Sequence, residues 1–162
     1  MDDLVNDSGL RIRAALAADI DAVLAFWAQA AEGTSISDDR AGVARLIERD
    51  PQALLLAVPG GAPADPADPE APAAGPVIGS VIAGFDGWRC HLYRLAVHPA
   101  HRRRGVASAL LAAAEARFAA LGGRRGDAMV LDRNASAHRA WRAAGYAPQP
   151  QWSRWVKPLD RH

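Results

Sequence analysis

Residues 97–111, VHPAHRRRGVASALL, set Arg102, Arg103 and Arg104 directly before Gly105 and the first turn of an apolar-periodic segment. The unpaired N–H groups of a helix N-terminus already carry partial positive charge, so three guanidinium groups there lack a counter-charge. Gly105 lets the backbone pass close to a ligand, and small residues at Ala107 and Ser108 leave the first-turn N–H groups uncovered. A phosphate would satisfy both features. A solvated basic turn is the competing reading. A nucleic-acid contact is a third, although it would call for basic and aromatic residues spread over a face rather than one triplet. Neither G-x-x-x-x-G-K-[ST] nor G-x-G-x-x-G occurs, which disfavours P-loop and Rossmann nucleotide sites.

The segment just upstream, CHLYRLAVHP at 90–99, reads as a strand. Alternation puts His91 on one face with Tyr93, Leu95 and Val97. An imidazole is the side chain best suited to moving protons near neutral pH. Cys90 is the lone cysteine, so it supports neither an intrachain disulfide nor a cysteine-rich metal site, and inert packing is its expected role. His98 and His101 have no acidic or cysteine partner at ligand spacing, and no metal is expected.

These residues need a scaffold. Residues 1 to 9 are polar and read as loose, and LRIRAA then alternates as a half-buried strand. Asp19 is placed to cap a helix bearing Ile20, Val23, Leu24 and Trp27 on one face. Ser37 is placed to cap a second, with Val43, Leu46 and Ile47, ending near Asp50 because Pro51 follows. ALLLAV, 53–58, is a short buried strand. Residues 59–76 carry six of the 11 prolines among Gly, Ala, Asp and Glu, which reads as a flexible insertion.

VIGSVIAGFDG, 77–87, pairs with 90–99 through the turn chemistry of Asp86-Gly87. A helix from Gly105 gathers Val106, Leu110, Leu111, Ala114, Phe118 and Leu121 on one face and stops at Gly122-Gly123. DAMVLD is a further strand, Asn134 caps a helix running to Ala144, Gly145 supplies its left-handed exit, and SRWVKPL is a last strand. The expected class is α/β, with a mixed, largely antiparallel sheet flanked by helices.

With 162 residues, 50% of them hydrophobic and 23% charged, the chain is long enough for one domain and short for two. Its 19 basic and 18 acidic residues create no overall field, so neither a nucleic-acid nor a membrane partner is expected. The first residues show no basic and apolar leader pattern, and no apolar run reaches about 18 residues. A cytoplasmic protein is expected, with a homodimer left open.

LAVHPAHRRRGVASALL resembles the acetyl-CoA-binding segment of the GCN5-related N-acetyltransferase superfamily. The pattern [QR]-x-x-G-x-[GA] is met by Arg102, Arg103, Arg104, Gly105, Val106 and Ala107. Downstream, LDRNASAHRAWRAAGY resembles the family's N-x-x-A-x-x-[FL]-Y-x-x-x-G-[FY] segment. The two cover 90–146, and the order of elements from Leu10 to Leu159 fits as well. The resemblance implies a single N-acetyltransferase domain over 1–162. Its strand ending at Val97 would splay from the strand ending near Asp132 to admit pantetheine.

It further implies that acetyl-CoA is the co-substrate and a primary amine of a small molecule or peptide the acceptor. Leu95, Ala96 and Val97 would run beside pantetheine, the Val97 N–H polarising the thioester carbonyl. Arg102, Arg103, Arg104, Gly105, Val106, Ala107 and Ser108 would hold the phosphates, and Asn134 the pantetheine amides. His91 occupies the position where many relatives carry a glutamate base, with Tyr93 acting through water as the alternative. Trp141 replaces the usual tyrosine acid, and an indole N–H donates a hydrogen bond without delivering a proton. His138 is a candidate substitute. That departure also leaves open a non-catalytic domain that binds or senses acyl-CoA.

Overall fold

The computed structural model describes residues 4–5, 9–31, 33, 35–60 and 76–159. Its elements are β1 (Leu4–Val5), β2 (Leu10–Ala14), α1 (Ile20–Ala30), α2 (Arg40–Arg49), β3 (Leu54–Pro59), β4 (Gly79–Phe85), β5 (Cys90–Val97), α3 (Val106–Ala120), β6 (Gly126–Ala128) and α4 (Ala135–Ala143), with single 3-10 turns at Ala17–Asp19 and Pro99–His101. All six strands join one sheet in chain order. The first four pairings are antiparallel, and β5 pairs with β6 in parallel through the α3 crossover.

Helices cover both faces. On one, α3 lays Leu110, Leu111, Ala114 and Phe118 against Val81, Ala83 and Leu92, with Trp141 of α4 beside them. On the other, Ile20, Val23, Phe26 and Trp27 of α1 and Val43 of α2 meet Leu54, Leu56 and Val58. Because β3 is central, every residue from Ala53 to Val58 is fully buried, which explains a continuous rather than alternating apolar run. The α3 contact is close. A Cβ added at Gly79 would stand 2.9 Å from both Leu110 Cδ1 and Val106 Cγ1.

Several local expectations change. Leu4–Val5 pairs with β2, so the first nine residues are not wholly loose. The Asp19 carboxylate does not cap α1; it accepts from the Leu16 N–H and holds Arg13 through two hydrogen bonds of 2.7 and 2.9 Å. Asp39, not Ser37, caps α2 by accepting from the Gly42 N–H at 2.7 Å. Leu121 lies beyond the end of α3 and is 46% exposed. Residues 61–75 of the proline-rich segment lie outside the described residues, while Pro59 still belongs to β3.

Two strands are shorter than their sequences suggest. DAMVLD contributes only through Ala128, and 90–99 ends at Val97 because Pro99 opens a 3-10 turn. SRWVKPL forms no strand and is exposed throughout. Trp155 and Val156 are adjacent, so in a strand they would point to opposite faces, and Pro158 lacks an N–H for a ladder.

Candidate active site

A β-bulge shapes the strand at the centre of the site. Between the rungs Ser80–Ala96 and Ile82–Tyr93, β4 advances two residues while β5 advances three. The extra length is absorbed at Arg94, whose φ is 53°, a left-handed conformation that L-residues adopt at a cost of roughly 1–2 kcal/mol. Four residues hold it. The Trp27 indole N–H donates to Ser80 Oγ at 2.9 Å, and the Ser80 hydroxyl donates to the Arg94 carbonyl at 2.8 Å. The Arg94 guanidinium pairs with Asp38, donates to the Gly33 carbonyl at 3.2 Å, and lies 5.8 Å from the Trp27 ring centre.

The bulge reverses the alternation of β5. Cys90 and Leu92 face α3, as do Leu95 and Val97 beyond the bulge, whereas Ala96 packs toward α1 and α2. His91 and Tyr93 therefore lie on the face opposite Leu95 and Val97, correcting the single shared face that strict alternation gives. An extra residue shifts the side-chain phase by one.

Past the bulge comes the arginine turn. Arg103 has φ 62° and Gly105 φ 78°, so left-handed residues stand at alternate positions immediately before α3. Backbone in such turns gathers N–H groups into a concave anion-binding surface, to which the α3 N-terminus adds its own. A Cβ built at Gly105 would meet nothing within 4 Å, so the space over the turn is open. Arg102, Arg103 and Arg104 are exposed and form no ion pair among the described residues. Val106 is buried beneath, anchoring the helix, while Ala107 is half-buried and Ser108 exposed.

The sheet also opens here. The β5–β6 ladder has rungs at Cys90–Gly126, His91–Asp127 and Leu92–Ala128, and β5 runs on to Val97 after the last of them. A cleft of about 280 Å³ stands at the divergence, lined by His91, Tyr93, Asp127, Ala128, Met129 and Arg154. His91 also borders a shallower hollow of about 440 Å³ between the end of α2 and the β4–β5 turn. The larger hollow lies away from the strand divergence.

His91 is oriented by a carboxylate. Its Nε2 lies 3.2 Å from Asp86 Oδ2, and Asp86 Oδ1 accepts from the Arg89 and Trp88 amides at 2.7 and 2.8 Å. Those two amides, then the His91 contact, hold the Asp86 carboxyl below its ordinary range. An ionised carboxylate only accepts, so Nε2 carries a hydrogen and donates it to Asp86. Tyr93 stacks on His91 with ring centres 5.9 Å apart. Burial pushes the Tyr93 phenol up, the Arg154 charge opposes and Asp86 adds to the rise, so at neutral pH it remains a donor.

The remaining candidates are spread around this centre. Trp141 is 8% exposed, packed edge-on against Tyr146 at 4.9 Å, and lines neither cavity. His138 Nε2, on the first turn of α4, lies 2.9 Å from the Leu131 carbonyl of the preceding loop, to which it donates. Asn134 Oδ1 accepts from the Ala137 N–H at 3.0 Å, capping α4 as expected. Cys90 is buried against Gly123, where an added Cβ would fall 2.3 Å from its sulfur. His98 Nδ1 accepts from the Ala100 N–H. No group of three or more His, Cys, Asp or Glu able to hold a metal occurs among the described residues.

Asp86, Arg94, Asp127 and Arg154 are the residues that sequence reasoning missed. Asp86 left a signal: it stands five positions before His91 across a tight hairpin, which brings the two side chains together. The others depend on contacts distant in sequence.

Comparison with known proteins fits this architecture. Residues 25–146 match the model of the Acetyltransferase (GNAT) family. An acetyltransferase of Sodalis glossinidius is 31% identical over 64% of this chain, and the match spans 63% of that protein's length. One from Yersinia enterocolitica is 30% identical over 77% of this chain and 79% of its own. The fold is shared with the aminoglycoside 6'-N-acetyltransferase AAC(6')-Ih of Acinetobacter baumannii, with a TM-score of 0.68, 17% identity, and coverage of 94% of this chain and 100% of that one. It is shared too with Ard1 of Thermoplasma volcanium, with a TM-score of 0.67, 20% identity, and coverage of 86% and 83%. A third neighbour is AAC(6')-Iy in complex with a CoA-linked bisubstrate analogue, with a TM-score of 0.64, 20% identity, and coverage of 94% and 99%. By the family model and the relatives together, this chain belongs to the GNAT acetyltransferase family.

Proposed function

We propose that the chain, as a single catalytic domain, transfers the acetyl group of acetyl-CoA to a primary amine by direct attack in a ternary complex. The observation that carries this reading is the turn at Arg103–Gly105, left-handed at two positions, opening α3 beside the strand from which β6 diverges. Its N–H groups suit a pyrophosphate, and the open space over Gly105 admits one. Arg102, Arg103, Arg104, Val106, Ala107 and Ser108 complete that cradle. Leu95, Ala96 and Val97 offer their main chain to pantetheine beyond the last β6 rung, and Asn134 its remaining amide N–H groups.

In this reading the amine nitrogen bonds to the thioester carbon, the C–S bond breaks, and the thiolate leaves. The Val97 N–H stabilises the carbonyl oxygen as negative charge gathers on it. His91, with Nε2 held by Asp86, accepts the amine's proton at Nδ1. Tyr93 is the proton donor on the cleft wall. Trp141 contributes packing behind the site rather than a proton. The test is release of free CoA thiol from acetyl-CoA across a panel of primary amines. Turnover supports the reading; tight acetyl-CoA binding without turnover on any amine would instead make the chain an acyl-CoA sensor.

A further inference from the structure

The cleft at the β5–β6 divergence carries two charged side chains that leave capacity for a ligand. Asp127 faces His91 directly across the parallel ladder, so its carboxylate emerges beside the imidazole. One oxygen, Oδ1, holds Arg125 at 2.9 Å. The other, Oδ2, is shut off from solvent and has no hydrogen-bond partner among the described residues. A buried acceptor left unmade is costly, and turning the half-exposed carboxyl group toward a ligand donor in the cleft relieves it. Arg154 reaches the same cleft from the C-terminal segment and forms no ion pair among the described residues. The two do not neutralise each other.

We propose that the acceptor is a small amino acid, its reacting amine placed between His91 and Asp127 and its carboxylate bound by Arg154. The inference rests on the acetyl-transfer reading and deepens it. A carboxylate-seeking guanidinium in the cleft is the feature that a plain amine or a polycationic aminosugar would leave unused. Size agrees, since about 280 Å³ falls just below the ~300–1,000 Å³ range of sites for drug-sized ligands. Ala128 and Met129 supply apolar wall for a side chain.

The experiment compares amino acids, their carboxamides and an aminoglycoside as acceptors for the full chain, by release of CoA thiol. Amino acids are expected to exceed their amides at least tenfold in kcat/KM, the difference residing in KM. Arg154→Gln is expected to raise KM for the acids 10–100-fold and bring the acid-to-amide ratio within about threefold, while acetyl-CoA affinity and thermal unfolding stay as in the parent. Amides used as well as acids, a preference for the aminoglycoside, or an Arg154→Gln loss shared equally by acid and amide would each overturn the acceptor assignment while leaving acetyl transfer standing. Absence of turnover on every amine would overturn both.

Discussion

The buried Ser80 hydroxyl donates to the carbonyl of Arg94 at 2.8 Å, and the bulge that divides β5 into two faces is held by that bond. Ser80→Ala removes the donor to Arg94 and the acceptor for the Trp27 indole together. Leaving buried polar groups unsatisfied costs about 1–3 kcal/mol. A stability loss of about 2 kcal/mol in urea is expected, with a fall in kcat because Tyr93 and Val97 depend on the bulge for their opposed directions. In a double-mutant cycle with Trp27→Phe the losses should not add; strict additivity would dissolve the relay.

Gly105 separates conformation from ligand contact. Its φ of 78° strains any L-residue, yet a Cβ there meets nothing within 4 Å. Gly105→Ala should therefore lose about 1 kcal/mol of stability and keep most CoA affinity. Gly105→Glu adds bulk and negative charge against the phosphate and is expected to abolish CoA binding while unfolding stays cooperative. Calorimetric titration with CoA, beside a thermal melt, distinguishes the two; undiminished CoA binding by the glutamate variant would displace the cradle from this turn.

With His91 as the proposed base, the Asp86–His91 pair is expected to bear on rate rather than cofactor affinity. His91→Ala is expected to lower kcat by about 10²–10⁴ while the Kd for acetyl-CoA stays within twofold. Stopped-flow turnover with saturating acetyl-CoA is the measurement. Parent-like turnover across the pH range would remove His91 as the base.

Acid sensitivity has a local source in Asp19. Burial pushes its carboxyl up, but the Arg13 hydrogen bonds, the Leu16 amide and the Arg13 charge outweigh that, leaving it below its ordinary 3.8. A depressed folded-state value contributes stability that is complete above the unfolded pKa and is lost as pH falls below about 3.8 through the folded value. Asp19→Asn should lose about 3 kcal/mol at pH 7, because Arg13 is left buried without its counter-charge. Its urea midpoint should then vary less between pH 5 and pH 2 than that of the parent. Equal acid slopes would assign the sensitivity elsewhere.

Local signals in the chain account for much of this architecture. Periodicity foretold the buried faces of α1 and α3, Asn134 its cap, and Gly105 the turn before α3, because each is governed by residues within a few positions. Arg94 is the contrary case. Nothing about an arginine announces a left-handed φ, and the groups that impose it, Ser80 and Asp38, lie 14 and 56 positions away. Reading β5 as strictly alternating thus put His91 on the wrong side of Leu95. The pairing of Asp127 with His91 was equally hidden, since it depends on the register of a parallel ladder closed by a whole helix.

The brevity of that ladder has a consequence for how the molecule is assembled. β2 through β5 lie in an antiparallel meander, whereas β6 joins by three rungs only after α3 has crossed the sheet. The cleft is thereby a seam whose β6 side is held to the sheet by three rungs, and so short a ladder makes that side the cheaper one to open. On the acetyl-transfer reading, a substrate seated in the seam adds contacts that β6 does not make, so its binding is expected to raise the stability of the β6 side above that of the free protein.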